Sequence, residues 1–265
     1  MRTIVLLSVG IITLLPSRLA DAQSPSKDDA TRSSITNLVQ EAMRAGWLRH
    51  DVAGYLAPWA PNARYILGRS ATPSRHDVVL PFEKLKDIRA LRYRGRPLKS
   101  RTLDFTKVNV VLKGKNTAHL TMTVRQGIPG GAEKVQEIYH LRKTKERWQI
   151  VFNRTWPLEV EIQNGKPVLY SADVWKQLDQ MVERVKTKGD LILLARALLT
   201  AYRYAEAHRA AQKQTRKKTA TGTDWALRGV TAALSGDARD ATRSFKKAVI
   251  LDPKTAVPGY ARGLK

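Results

Sequence analysis

The chain has 265 residues, 47 Lys and Arg against 23 Asp and Glu, a formal net charge of +24 at pH 7 and 43% hydrophobic residues. That apolar content can build a core, which excludes wholesale disorder, and the charge excess favours anionic partners and salt-dependent contacts. Cysteine is absent, which excludes disulfides, thiolate zinc sites and a lipid-modified cysteine anchor.

At the start, Arg2 precedes an apolar run from Ile4 to Leu15, Pro16 breaks it, and Ala20-Asp21-Ala22 supplies small residues for cleavage. This is the pattern of a secretion signal over residues 1–22, cut after Ala22. The run falls short of the roughly 20 apolar residues of a membrane span. A periplasmic or secreted location follows, with no transmembrane segment after cleavage. Residues 23–32 read as a flexible linker.

Residues 33–158 read as one mixed α+β unit. Ile35, Leu38, Val39 and Ala42 mark one face of a helix ending near Gly46, and Val52 to Trp59 forms a second short helix before Pro61. A strand is expected around Ala63 to Gly68, a loop from Pro73 to Pro81, and a helix from Phe82 to Tyr93. Four strands follow over Arg101 to Leu112, Thr117 to Gln126, Lys134 to Lys143 and Arg147 to Trp156, separated by short Gly-, Pro-, Asn- or charge-rich turns. Helices first and a strand meander afterwards imply a curved antiparallel sheet packed on helices.

This element order, with the closing segment ERWQIVFNRTWP, is similar to the NTF2-like superfamily, which includes SnoaL-like cyclases and ketosteroid isomerases. The resemblance implies a pocket between sheet and helices, and enzymatic members use an Asp or His base with Tyr or Asp oxyanion donors. Tyr65, Asp104, His119, Tyr139 and Arg154 are the candidates for such a pocket here. They form no motif, so no catalytic residue is assigned, and an isomerase- or cyclase-type enzyme or small-molecule binder stands as an alternative function. Such sheets often dimerise, so a homodimer is one option. His50, His76 and His208 sit in isolated contexts and are read as surface residues. No His/Asp/Glu spacing suggests a metal, and no glycine-rich phosphate loop points to a cofactor.

Between Lys84 and Lys115 the basic residues are opposed only by Asp87 and Asp104. Such a field would attract an anionic envelope component. No nucleic-acid-binding motif is present, so nucleic acid is not the expected partner.

Residues 159–188 read as a connector and a capping helix, because Val174, Trp175, Leu178, Met181, Val182 and Val185 recur at three- and four-residue steps. Trp225, Gly229, Ala232, Gly236, Ala241, Phe245, Ala248 and Pro253 then fall at the spacings of a tetratricopeptide repeat. A shift of 34 residues maps Gly229 to Ala195 and Ala241 to Ala207, which gives a second, degenerate unit. Residues 189–255 thus resemble two repeats, and 256–265 form a tail. Arg228 departs from the pattern, standing where the family has a large apolar residue, with Leu227 beside it to take over that packing. The resemblance implies a protein or peptide partner held by Ile192, Arg196, Leu199, Thr200, Ala226, Val230, Ala233 and Leu234. The leading expectation is an exported, non-enzymatic binding or scaffold protein, in which these large apolar residues either face the partner or pack against the rest of the chain.

Overall fold

The computed structural model describes residues 26–94, 100–128, 131–145, 147–162, 167–258 and 261. The signal segment lies outside the described residues. The first helix, α1 (Lys27–Arg49), begins inside the expected linker because the Ser26 side chain accepts a hydrogen bond from the Asp29 amide and Asp28 and Asp29 fill the acidic first turn. It also runs past Gly46. That glycine is needed for packing, since a Cβ there would lie 2.7 Å from the Tyr93 ring and 2.9 Å from Tyr55.

Helix α2 (Val52–Leu56), capped by Asp51, is shorter than expected because strand β1 (Trp59–Leu67) already starts at Trp59. The segment read as a loop contains β2 (Val78–Pro81), in which Val78 and Leu80 are buried and Val79 is exposed. Next come α3 (Phe82–Arg92), β3 (Thr102–Leu112), β4 (Thr117–Ile128), β5 (Gly131–Thr144) and β6 (Arg147–Ile162). The short β7 (Val168–Leu169) returns on β6, so the sheet extends beyond Leu158.

The strand order is β2-β1-β6-β5-β4-β3. The β1–β6 pair is parallel and the others are antiparallel, which makes the sheet mixed rather than purely antiparallel. Register shifts interrupt β1–β6, β3–β4 and β5–β6, the irregularities that bend strands and tighten twist. One face carries Leu120, Met122 and Val124 of β4 beside Val135 and Tyr139 of β5, packed over Ile35, Val39 and Leu85 of the helices.

Five helices follow: α4 (Ala172–Lys186), α5 (Leu191–Thr200), α6 (Tyr204–Thr215), α7 (Gly222–Ser235) and α8 (Ala238–Leu251). Each packs on the next. Thr221 and Asp224 form a capping box at the start of α7, and Gly236 at φ 90° closes it in the left-handed region that glycine tolerates. Arg228 sends both ends of its guanidinium to Asp240 of α8 at 2.8 and 2.9 Å and donates to Thr215 at 3.0 Å. A cation therefore ties three helices together at the departure from the repeat pattern, while Leu227 packs into the α4–α6 cluster.

The helical part is joined to the sheet part. Arg69, just after β1, grips Asp179 of α4 through two hydrogen bonds of 2.9 Å and donates to the Ala201 carbonyl at the α5–α6 turn. Leu199, Tyr202, Tyr204 and Leu234 pack against the N-terminal core, and Leu91 of α3 belongs to the α7–α8 cluster.

Candidate functional site

The concave face of the sheet holds a partly open cavity of about 150 Å3. Strand alternation determines what points into it. Glu133, Val135, Glu137 and Tyr139 share one face of β5, Asn153 and Thr155 come from β6, and Tyr65 and Leu67 come from β1. Helix α3 contributes Arg89 and Arg92, three residues apart and so on neighbouring positions of its surface. The roof is made by Tyr202, Tyr204 and Leu234 of the helical part.

Glu137 is the chemical centre of the cavity. It is 5% exposed, and burial pushes its pKa from 4.5 to about 7 against the opposing hydrogen bonds of Asn153 and Thr155. The Asn153 Nδ2 donates to it at 2.7 Å and also to the Ile138 carbonyl, while the Asn153 Oδ1 is buried with no partner among the described residues. Glu133, nearer the roof, accepts a 3.0 Å hydrogen bond from the Tyr202 hydroxyl, and burial raises its pKa too. Arg89 lies 4.7 Å from the Tyr55 ring centroid, 5.2 Å from Tyr65 and 5.7 Å from Tyr93, held by cation–π attraction. Among the described residues its Nε has no hydrogen-bond partner. The arrangement offers a polar, proton-exchanging carboxyl, two guanidinium groups and aromatic walls around one partly open space.

Tyr202 forms the roof at φ 55°, a left-handed backbone that a tyrosine seldom adopts. Its ring stacks edgewise on Tyr170 and Trp175, and its hydroxyl crosses to β5.

Of the five residues expected in the pocket, Tyr65 and Tyr139 line the cavity. Asp104 is exposed and pairs in register with Arg125 on the outer face. His119 is on that face as well, stacked 4.2 Å from His140, which stacks 4.7 Å from Phe152. Arg154 is turned outward by the β-bulge between Ile150 and Phe152, yet it is not solvated. The segment after β1 covers it, with a 2.9 Å ion pair to Asp77 and hydrogen bonds to the Ser70 and Thr72 carbonyls. Two histidines read as surface residues are also packed. His208 is 8% exposed between Thr231, Gln212 and Asp240, and His76 pairs with Glu206 at 3.0 Å. His50 closes α1 in the left-handed region beside Arg101.

The residues expected to face a partner divide into two groups. Arg196 and Thr200 are exposed and Ile192 and Val230 half-buried, whereas Ala226 and Ala233 are buried and Leu199 and Leu234 pack on the N-terminal core. The basic stretch from Lys84 to Lys115 is divided too. Lys84, Lys86, Lys107, Lys113 and Lys115 are exposed, Arg89 and Arg92 enter the cavity, and Arg101 lies over the Trp47 ring. Arg96 and Lys99 lie outside the described residues. His208, Asp237 and Asp240 bring ligand atoms within 4.8 Å of one another. Arg228 and Arg243 both pair with Asp240 of this cluster, at 2.8 and 2.7 Å.

No protein-family model matches the sequence, and no curated protein does. Solved structures similar to this chain include NTF2-like proteins. One of unknown function from Pseudomonas putida KT2440 is 16% identical, covers 48% of this chain and 86% of its own, and has a TM-score of 0.39. Another from Pseudomonas aeruginosa is 20% identical over 48% of this chain and 98% of its own, at 0.38. The association domain of C. elegans CaMKII is 14% identical over 48% and 95%, at 0.40.

Proposed function

We propose that this protein binds a small molecule inside the sheet cavity, with the helical part as its roof. The observation that carries the reading is the pair of polar atoms left without partners there, Arg89 Nε and Asn153 Oδ1, next to a carboxyl whose proton is exchangeable near neutral pH. Buried polar groups in folded proteins are almost always satisfied, so unsatisfied ones at a cavity wall are natural anchors for a ligand. The volume suits a single ring, since an engineered apolar cavity of about 150 Å3 accepts benzene. Glu137 also supplies the acid–base group that an isomerase- or cyclase-type reaction would require.

The test is a titration with phenol, benzoate and similar single-ring compounds, followed by the methyl resonances of Met43, Val135 and Leu234. At least one compound is expected to shift all three in the wild type, and none to shift Met43 or Leu234 in a Val135→Trp variant that fills the cavity. If no compound moves these signals in the wild type, the cavity is not a ligand site.

A second reading is partner docking by the helices, supported by one observation on the α7–α8 hairpin. A Cβ on Gly229 would come 2.5 Å from the Phe245 ring, so the helices cross at the contact the repeat resemblance requires. In this reading two tetratricopeptide-like hairpins of an exported protein hold a peptide against Arg196, Thr200, Ile192 and Val230. Capture of a discrete protein from an envelope extract by the wild type and equally by Arg196→Glu would remove it, and an N-terminus at Gln23 in the mature protein would support export.

A further inference from the structure

We infer that the cavity ligand is a compact single-ring carboxylate that also carries a hydrogen-bond donor, its carboxylate held by Arg89 and Arg92 and its donor by Asn153. The inference rests on the cavity reading above and specifies the ligand's class.

Arg89 and Arg92 form no ion pair with any described residue, although both line the same partly open cavity. Glu133 and Glu137 act on the two guanidinium groups through space but spend direct hydrogen bonds on the Tyr202 hydroxyl and on Asn153. Burial raises the pKa of both carboxyls against the pull of Arg92 on Glu133 and of Arg89 on Glu137, which weakens the carboxyls as counter-charges for the guanidinium groups. Arg89 rests on tyrosine rings and the Tyr93 hydroxyl rather than on a carboxylate, and an anion is a stronger partner for a part-buried cation. Guanidinium groups three residues apart on one helix suit a planar carboxylate, which can take two parallel N–H donors. Arg89 Nε supplies one such donor with nothing yet bound to it.

The opposite requirement comes from β6. Asn153 commits its amide hydrogens to Glu137 and to the Ile138 carbonyl, so its free Oδ1 can only accept. A ligand hydroxyl or N–H is the complement. Between these two anchors the walls are the rings of Tyr55, Tyr65, Tyr93 and Tyr139, which favour a flat ring over a flexible chain.

The experiment is calorimetric titration of the full chain with 4-hydroxybenzoate and its neutral counterpart 4-hydroxybenzyl alcohol, in 0.3 M salt to screen the cationic surface. A charge-assisted hydrogen bond in such a site corresponds to about a 10- to 100-fold preference. The carboxylate is expected to bind more tightly by that factor, and Arg89→Met to reduce the preference to within about twofold while the alcohol's affinity stays. Equal or tighter binding of the alcohol to the wild type would overturn the carboxylate assignment and leave the cavity reading intact. Binding of neither compound, with no phenol or benzoate shift of the cavity methyls, would overturn both. The wild-type comparison decides the matter even if Arg89→Met fails to fold.

Discussion

Replacing Glu137 with Gln should make the protein less sensitive to alkaline pH, by an amount that follows from burial. A carboxyl whose pKa moves from 4.5 to about 7 on folding binds its proton more tightly in the native state than in the unfolded chain. Its contribution to stability is therefore present in full below pH 4.5 and is lost as pH rises through 7. At 1.36 kcal/mol per pH unit the loss is about 3 kcal/mol between those limits. Glu133 is raised by burial as well and adds a loss of the same sign, but it is common to wild type and variant. The difference between the two proteins thus isolates Glu137. Guanidinium or urea unfolding at pH 5, 6, 7 and 8 would give that difference directly. Glu137→Gln should gain on the wild type by about 2.5 kcal/mol from pH 5 to 8, whatever its constant offset. Parallel pH profiles would show that Glu137 is solvated and ionised in the native protein and would refute the description of the cavity.

Two further substitutions test the packing. Gly229→Ala places a methyl 2.5 Å from the Phe245 ring, and overpacking costs about 1–3 kcal/mol against a helix-propensity gain of about 1. A net loss is expected in denaturant midpoint, relieved in Gly229→Ala/Phe245→Leu, and a stabilised single variant would contradict the close crossing. Arg154→Met leaves Asp77 buried without its cation, a change that costs about 3–5 kcal/mol. Unfolding curves should show it, and a cost under about 1 kcal/mol would place Arg154 in water.

Much of the sheet part was legible because its strands alternate. In β4, Ala118, Leu120, Met122 and Val124 are apolar at every second position, and the same parity puts His119 outside, where it stacks on His140. Glu137 could have been found by the same rule, because it falls between Val135 and Tyr139 on the inward face of β5. Arg154 was not legible. A bulge after Ile150 resets the alternation, and local sequence does not announce it. Arg89 and Arg92 adjoin the apolar stripe of α3 but sit within a basic run, so their charge suggested solvent. β2 was hidden because a strand this short makes sense only when paired with β1. The roof was beyond reach for a related reason. Tyr202 reaches the cavity through a left-handed turn and a contact with Glu133, a residue 69 positions away in the chain.

The most direct measurement is a crystal soaked separately with 4-bromobenzoate and 4-bromophenol, with the bromine located by its anomalous signal. The account predicts a bromine peak for at least one compound inside the sheet cavity, among Tyr65, Tyr139 and Leu234. Peaks confined to the outer surface, with the cavity holding only water for both compounds, would contradict it.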